Sequence, residues 1–253
     1  DLQNNISYTE PNAIVNSPFT PHPHGNAVAG NVAATTNNGK GISAIGYNTS
    51  LMLYGRGPHH SALSSEASII DAVQRGADVI NLSFGSVEEL PSLEAAIKVA
   101  YYNDVVVVAA AGNGPCWERR FFCPKDTACE DCIVQGQFCN DSTVQSGYGN
   151  CKVYPPAYEE VVSVTSVGHR YSPEYVDYLG RKINWKDYHG QIIDDPLTFH
   201  HVHDYNDISA PGYYIKTTGI NNDYTVSWGT SHSSPIVAGV CALVASTNNC
   251  LTG

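Results

Sequence analysis

The sequence predicts an α/β fold, with a mainly parallel central sheet and helices on both of its faces. Three observations predict it. Short apolar runs without polar alternation stand at 51–54, 78–84, 104–111 and 161–167. Val-rich runs of that kind suit strands buried on both faces, as in a parallel sheet. Stretches of helical periodicity lie between them, and strand–helix alternation calls for a sheet covered on each side.

The elements follow in order. His24-Gly25-Asn26-Ala27-Val28-Ala29-Gly30 opens a helix of small residues. Leu51-Met52-Leu53-Tyr54 is the first apolar run. Residues 64–75 place Ile69, Ile70 and Val73 on one face, begin at Ser64 and Ser65, and stop at Gly76. The run 78–84 follows, then a helix over 92–102 with Leu93, Ile97, Ala100 and Tyr101 on one face. The runs 104–111 and 161–167 come next, and an apolar helix from Ile236 to Ala245 closes the pattern. Two stretches interrupt it: 114–153, which holds most of the cysteines, and about 169–205, rich in Tyr, His and Asp. Both read as surface insertions in a single domain spanning 1–253.

Composition excludes several classes. The chain has 253 residues, 42% apolar, which is enough for a packed core. That content rules out disorder as the main state. No run of 18 apolar residues occurs, so no transmembrane segment is expected. The net charge of −11 disfavours a nucleic-acid partner, whose binders carry a basic stripe. Gly39-Lys40-Gly41-Ile42 is not a dinucleotide loop, because it follows a helix and lacks the third glycine.

Six of the eight cysteines fall within 116–151. Such crowding in a loop-like, Gly-, Asp- and Asn-rich stretch reads as a disulfide framework from an oxidising compartment. A zinc site using Cys129 and Cys132 is the rival reading, but it would need a second close pair. Cys241 and Cys250 are expected to pair with each other. Sequons at Asn5, Asn48, Asn81 and Asn140 permit glycosylation on a secretory route, although Asn81 sits in an apolar strand. The histidines His200, His201 and His203 read as a solvated loop rather than a metal site.

Three segments carry the chemistry: the His24 helix start, Ala110-Ala111-Gly112-Asn113-Gly114 at the end of a Val-rich strand, and Gly229-Thr230-Ser231-His232-Ser233-Ser234-Pro235 before the last helix. A serine at a helix N-terminus sits where unpaired N–H groups and the dipole favour developing negative charge. Histidine is the side chain suited to take its proton near neutral pH. An asparagine NH₂ at a strand end can donate to an oxyanion.

Together, these segments resemble the histidine, oxyanion-asparagine and serine motifs of the subtilisin-like serine proteases (subtilases), in that family's order. Asp78-Val-Ile-Asn-Leu-Ser-Phe-Gly85 and Ser209-Ala-Pro-Gly212 resemble two further family segments. The resemblance implies a subtilisin-like three-layer fold with a Cys-rich surface insertion, and a serine endopeptidase working through an acyl-enzyme. It makes Ser231 the nucleophile, His24 the general base and then acid, and Asn113 an oxyanion donor beside the Ser231 N–H. Ser83, Phe84 and Gly85 would line one edge of the cleft for an extended peptide or protein substrate, with a looser opposite edge near Gly57 to His60. Ala110, Ala111 and Gly112 would wall the pocket before the scissile bond. The loop Thr35 to Ile42 resembles a calcium loop, with the Asn38 side chain, the carbonyls of Thr35, Lys40 and Ile42, and the Asp1 carboxylate as ligands to a structural Ca²⁺. A propeptide and a secreted or secretory-lumen location belong to the same expectation.

The pattern departs from the family at one triad position. Asp1-Leu2 matches the Asp-Leu that follows the family's catalytic-aspartate strand, so the catalytic aspartate is expected upstream of this sequence. The alternative is a non-catalytic subtilase-like pseudoprotease acting as a binding or scaffold module. Ala27 and His232 stand where the family commonly has a second histidine and a methionine.

Overall fold

The computed structural model describes residues 1–9, 23–55, 62–86, 88–113, 152–168, 175–176, 182–183 and 204–247. Most of the cysteine-rich stretch lies outside these residues, as do the expected edge at 57–60, the sequon at Asn140 and the histidines at 200–203. Cys241 is a half-buried free thiol, and its expected partner Cys250 is also outside them.

The order is β1 (Ile6–Thr9), α1 (Pro23–Ala33), β2 (Leu51–Leu53), α2 (Ala62–Gln74), β3 (Val79–Leu82), α3 (Pro91–Tyr101), β4 (Val106–Ala110), β5 (Val161–Val167), β6 (Tyr175–Val176), β7 (Lys182–Ile183), β8 (Ile208–Pro211), β9 (Ile215–Thr218), β10 (Tyr224–Ser227) and α4 (Thr230–Thr247). The expected strands and helices all form, with ends within one or two residues of expectation except in the last helix, which begins at Thr230, six residues before the expected Ile236.

The central sheet runs β3-β4-β5-β8, parallel throughout. Its inner strands β4 and β5 are buried on both faces along most of their length, which is why their Val runs lack alternation. Val107 and Ala109 of β4 point with Ile80, Leu82 and Val161 into a core shared with Leu93, Ile97 and Ala100 of α3 and Ile69 of α2. Val108 points the other way and meets Val164, Ala210, Val237 and Ala238, the last two from α4. Helix, sheet and helix therefore stack in three layers.

β1 and β2 form a separate parallel pair that packs on Ala29 and Ala33 of α1 through Leu51 and Leu53. Among the described residues, β2 pairs only with β1, and β3 only with β4. The hairpin β9–β10 was not foreseen from the sequence. Its tip puts Asn221 and Asn222 at φ of 58° and 60°, a left-handed pair that asparagine tolerates.

Candidate active site

The parallel strands point their C-terminal ends at one rim of the sheet, where α4 begins. Local chemistry fixes that start. Gly229 adopts φ +121°, which a side chain would strain. The Thr230 N–H donates to the Asn113 Oδ1 at 2.9 Å, and the Thr230 hydroxyl donates to it at 3.2 Å. The same hydroxyl accepts from the Gly112 N–H at 3.1 Å. Asn113 thus caps α4 through its carbonyl oxygen, and its NH₂ is the part of the side chain left to donate. Sequence reasoning gave Thr230, which is fully buried, no role of its own; its place directly before Ser231 was the available signal.

Pro235 lies inside α4 and has no N–H to give the Ser231 carbonyl four residues earlier. Ser83 satisfies that carbonyl instead, its Oγ donating to it at 2.9 Å. Asn81 Nδ2 donates to the Ser83 Oγ at 2.9 Å, and the Ser234 Oγ donates to Asn81 Oδ1 at 2.6 Å. A polar chain therefore ties the end of β3 to the first turn of α4. It also engages both the Nδ2 and the Oδ1 of Asn81. The Ser231 Oγ lies 3.4 Å from the Ser83 carbonyl. On the β8 side, Ser233 donates to the carbonyls of Ala210 and Pro211 at 3.1 Å. A Cβ on Gly212 would fall 2.4 Å from the Ser233 Oγ, so glycine is needed for that approach.

His24 stands exposed in the first turn of α1. Its ring lies 5.9 Å from that of His232, edge to face at 68°. α1 is held against β9 by Thr217 and Thr218, whose hydroxyls donate to the carbonyls of Ala27 (2.6 Å) and Asn26 (2.8 Å). Gly30 permits the approach, because a Cβ there would be 2.2 Å from Thr218 Oγ1.

The remaining expected residues sit along the ends of β3 and β4. Ser83 and Phe84 are half-buried and Gly85 exposed, just past β3; beyond them, Ser86 bridges to Tyr154. Ala110 and Ala111 are buried and Gly112 half-buried at the end of β4. Phe84 packs against the sheet core, so its backbone, not its ring, is what it can offer an extended peptide.

The loop residues expected to bind calcium gather around Asp1. Asn38 Nδ2 donates to Asp1 Oδ1, while the Lys40 N–H donates to Asn38 Oδ1 at 2.9 Å. The Ile42 N–H lies 3.5 Å from Asp1 Oδ2. The Thr35 N–H and hydroxyl both donate to the Asp1 carbonyl, at 2.7 and 2.8 Å. Tyr224, which the sequence did not single out, donates to Asp1 Oδ2 at 2.7 Å. Among the described residues no group of three or more His, Cys, Asp or Glu could hold a metal. The expected set of one carboxylate, one amide and backbone carbonyls would offer oxygen alone, which suits a hard cation rather than zinc, while here the Asp1 carboxylate receives N–H and O–H donors.

His232 is 1% exposed. Burial, and then the nearby His24 charge, lower its pKa to about 4. Unfolded, the same group would titrate near 6.5. The unfolded chain thus binds the extra proton between those values, so stability rises with pH across that window and falls as the solution is acidified through it. The full effect is about 3 kcal/mol. In the His232→Met variant this part of the acid loss is expected to vanish. Urea midpoints at pH about 4.5 and about 7 check it, and an equal acid loss in both proteins would contradict it.

These features define a protein of the subtilisin-like serine protease class. A sequence profile of the subtilase family (Peptidase S8) matches residues 3–253, and the chain belongs to that family. It is 31% identical over 228 residues to the thermophilic serine proteinase of Bacillus sp. (strain AK1), covering 88% of this chain and 42% of that protein. It is 29% identical over 229 residues to subtilisin DY of Bacillus licheniformis, covering 88% and 63%. The chain thus spans less than two thirds of the length of these relatives. The fold is shared with the S41 psychrophilic protease at a TM-score of 0.62 and 23% identity, covering 98% of this chain and 73% of that one. No helix among the described residues is long and apolar enough to cross a membrane.

Proposed function

We propose that residues 1–253 form the catalytic domain of a serine endopeptidase that cleaves extended peptides through an acyl-enzyme. One observation carries the reading. Three consecutive residues, Thr230-Ser231-His232, touch Asn113, Ser83 and His24 respectively. These contacts support a nucleophile standing between an oxyanion donor, a cleft edge and a base.

In this reading His24 takes the proton of the Ser231 hydroxyl as Oγ attacks the scissile carbonyl. The oxyanion collects the Asn113 NH₂ and the Ser231 N–H, with the positive end of α4 behind them. His24 then gives its proton to the leaving amine, and water reverses the sequence. Residues 83–85 offer backbone to the substrate, and 110–112 wall the pocket. The aspartate that orients His24 would come from a strand upstream of Asp1. The unpaired edges of β2 and β3 among the described residues support such a strand. A fluorophosphonate probe is expected to label the native protein, and labelling is expected to vanish in Ser231→Ala. Absence of labelling in correctly folded native protein would favour the non-catalytic module instead.

Asn113→Ala is expected to lower kcat by about 10²–10³ with little change in KM, as for the loss of one oxyanion donor. A drop confined to KM would remove Asn113 from that role.

Structural calcium at Asp1 and the 35–42 loop, a propeptide, and a secretory location with disulfides in 114–153 complete the proposal. Calcium held by Asp1 and this loop would neutralise a carboxylate that otherwise gathers only N–H and O–H donors. At calcium about a hundredfold above its dissociation constant, stabilisation is about 2.7 kcal/mol. Chelation should therefore lower Tm, and Asp1→Asn should abolish the calcium dependence. A Tm independent of calcium would dismiss the site.

A further inference from the structure

His24, Ala27 and Asn31 follow one another at spacings of three and four residues, so they share one face of α1. His232 of α4 engages that face at both ends. Asn31 Nδ2 donates to its Nδ1 at 2.9 Å in a buried hydrogen bond. His24 meets its ring edge to face at a centroid distance of 5.9 Å. Ala27 lies between them along the helix, 3% exposed and with no bulk beyond Cβ. With Nδ1 accepting, the neutral ring of His232 carries its proton on Nε2. That nitrogen is buried and has no hydrogen-bond partner among the described residues.

His232 is buried and bonded to Asn31, whereas His24 is exposed in the first turn of its helix. An anchored aromatic edge restricts the neighbouring ring, because aromatic pairs prefer a narrow set of tilts. A neutral partner also leaves room for the charge that His24 takes up during turnover.

We propose that His232, anchored by Asn31, is a positioning residue that holds the His24 imidazole in the orientation from which it serves Ser231. This rests on the reading of Ser231 as nucleophile and His24 as base. Misplacement of a reacting group costs rate rather than affinity. Both Asn31 and His232 act through one ring, so their effects should not add.

The test uses the full-length protein, with peptide turnover and the rate of fluorophosphonate labelling as readouts. Asn31→Leu and His232→Met are each expected to lower kcat and labelling rate about tenfold, with KM nearly unchanged. The double variant should fall no further than the single ones. Folded variants that label and turn over as fast as the wild type would overturn the proposal, whatever happens to their Tm. Should the variants not fold, imidazole nitrogen resonances of the unmodified protein decide. His232 is expected as the Nε2–H tautomer, with resonances that shift as His24 titrates. The Nδ1–H tautomer, or no response to His24, would overturn the proposal. Absence of labelling in the wild type would remove the reading of Ser231 itself, an outcome distinct from equal labelling in wild type and variants.

Discussion

Ser231→Ala and His24→Ala are each expected to lower kcat by about 10⁶, with the double variant no worse than either, a magnitude taken from subtilisin rather than from this chain. The reason for non-additivity lies in the chemistry. His24 is useful only as the acceptor of the Ser231 proton, so once either group is gone the other has no task. What remains is the oxyanion site and substrate binding, which account for a residual rate of about 10³–10⁴ over water. The geometry supports that residue of activity. Asn113 is fixed by Thr230, which neither substitution touches. Kinetics of the two single variants and the double variant on one peptide check it. A double variant slower than both singles by the product of their effects would mean that the two side chains act independently, and the proposed proton transfer would be lost.

The second expected result concerns the aspartate. A full-length protein carrying an upstream aspartate strand should exceed the chain 1–253 alone by about 3 × 10⁴ in kcat, the loss recorded when subtilisin lacks that side chain. The sheet gives the structural ground. A four-stranded parallel sheet ends at β3, and a two-stranded parallel pair ends at β2, with both edges unpaired among the described residues. Unpaired edges invite one more strand. A strand there would sit near α1, which packs on β2 through Ala29 and Ala33 and carries His24 at its start. Replacing the upstream aspartate by asparagine in the full-length protein should reproduce most of the loss without unfolding. Full activity from the folded chain 1–253 would show that no such strand is needed.

Much of this arrangement was legible in the sequence, for identifiable reasons. The Val runs announced buried parallel strands because burial on both faces removes alternation. The positions of His24, Asn113 and Ser231 were legible because each stands where an element opens or closes, close to a glycine. What escaped notice is polar and long-range. Thr217 and Thr218 grip α1 across some 190 residues of chain. Asn31 meets His232 across 201 residues, and Tyr224 meets Asp1 across 223. A neutral hydroxyl or amide has many partners open to it and no periodicity to betray which it takes. In sequence, His232 shows only that it stands where the family commonly has a methionine. The structure instead makes it buried, bonded to Asn31 and stacked edgewise on His24.

Pro235 has a consequence for redesign. Any residue with an N–H at that position could close the helix bond to the Ser231 carbonyl, and the Ser83 hydroxyl would then share its acceptor. Conversely, alanine at 83 would leave the Ser231 carbonyl without that donor. The two positions, 152 residues apart in the chain, therefore behave as one design variable. A library that varies the cleft edge at 83 while holding 235 as proline would sample mostly damaged starting points of α4, and one that varies both together would not.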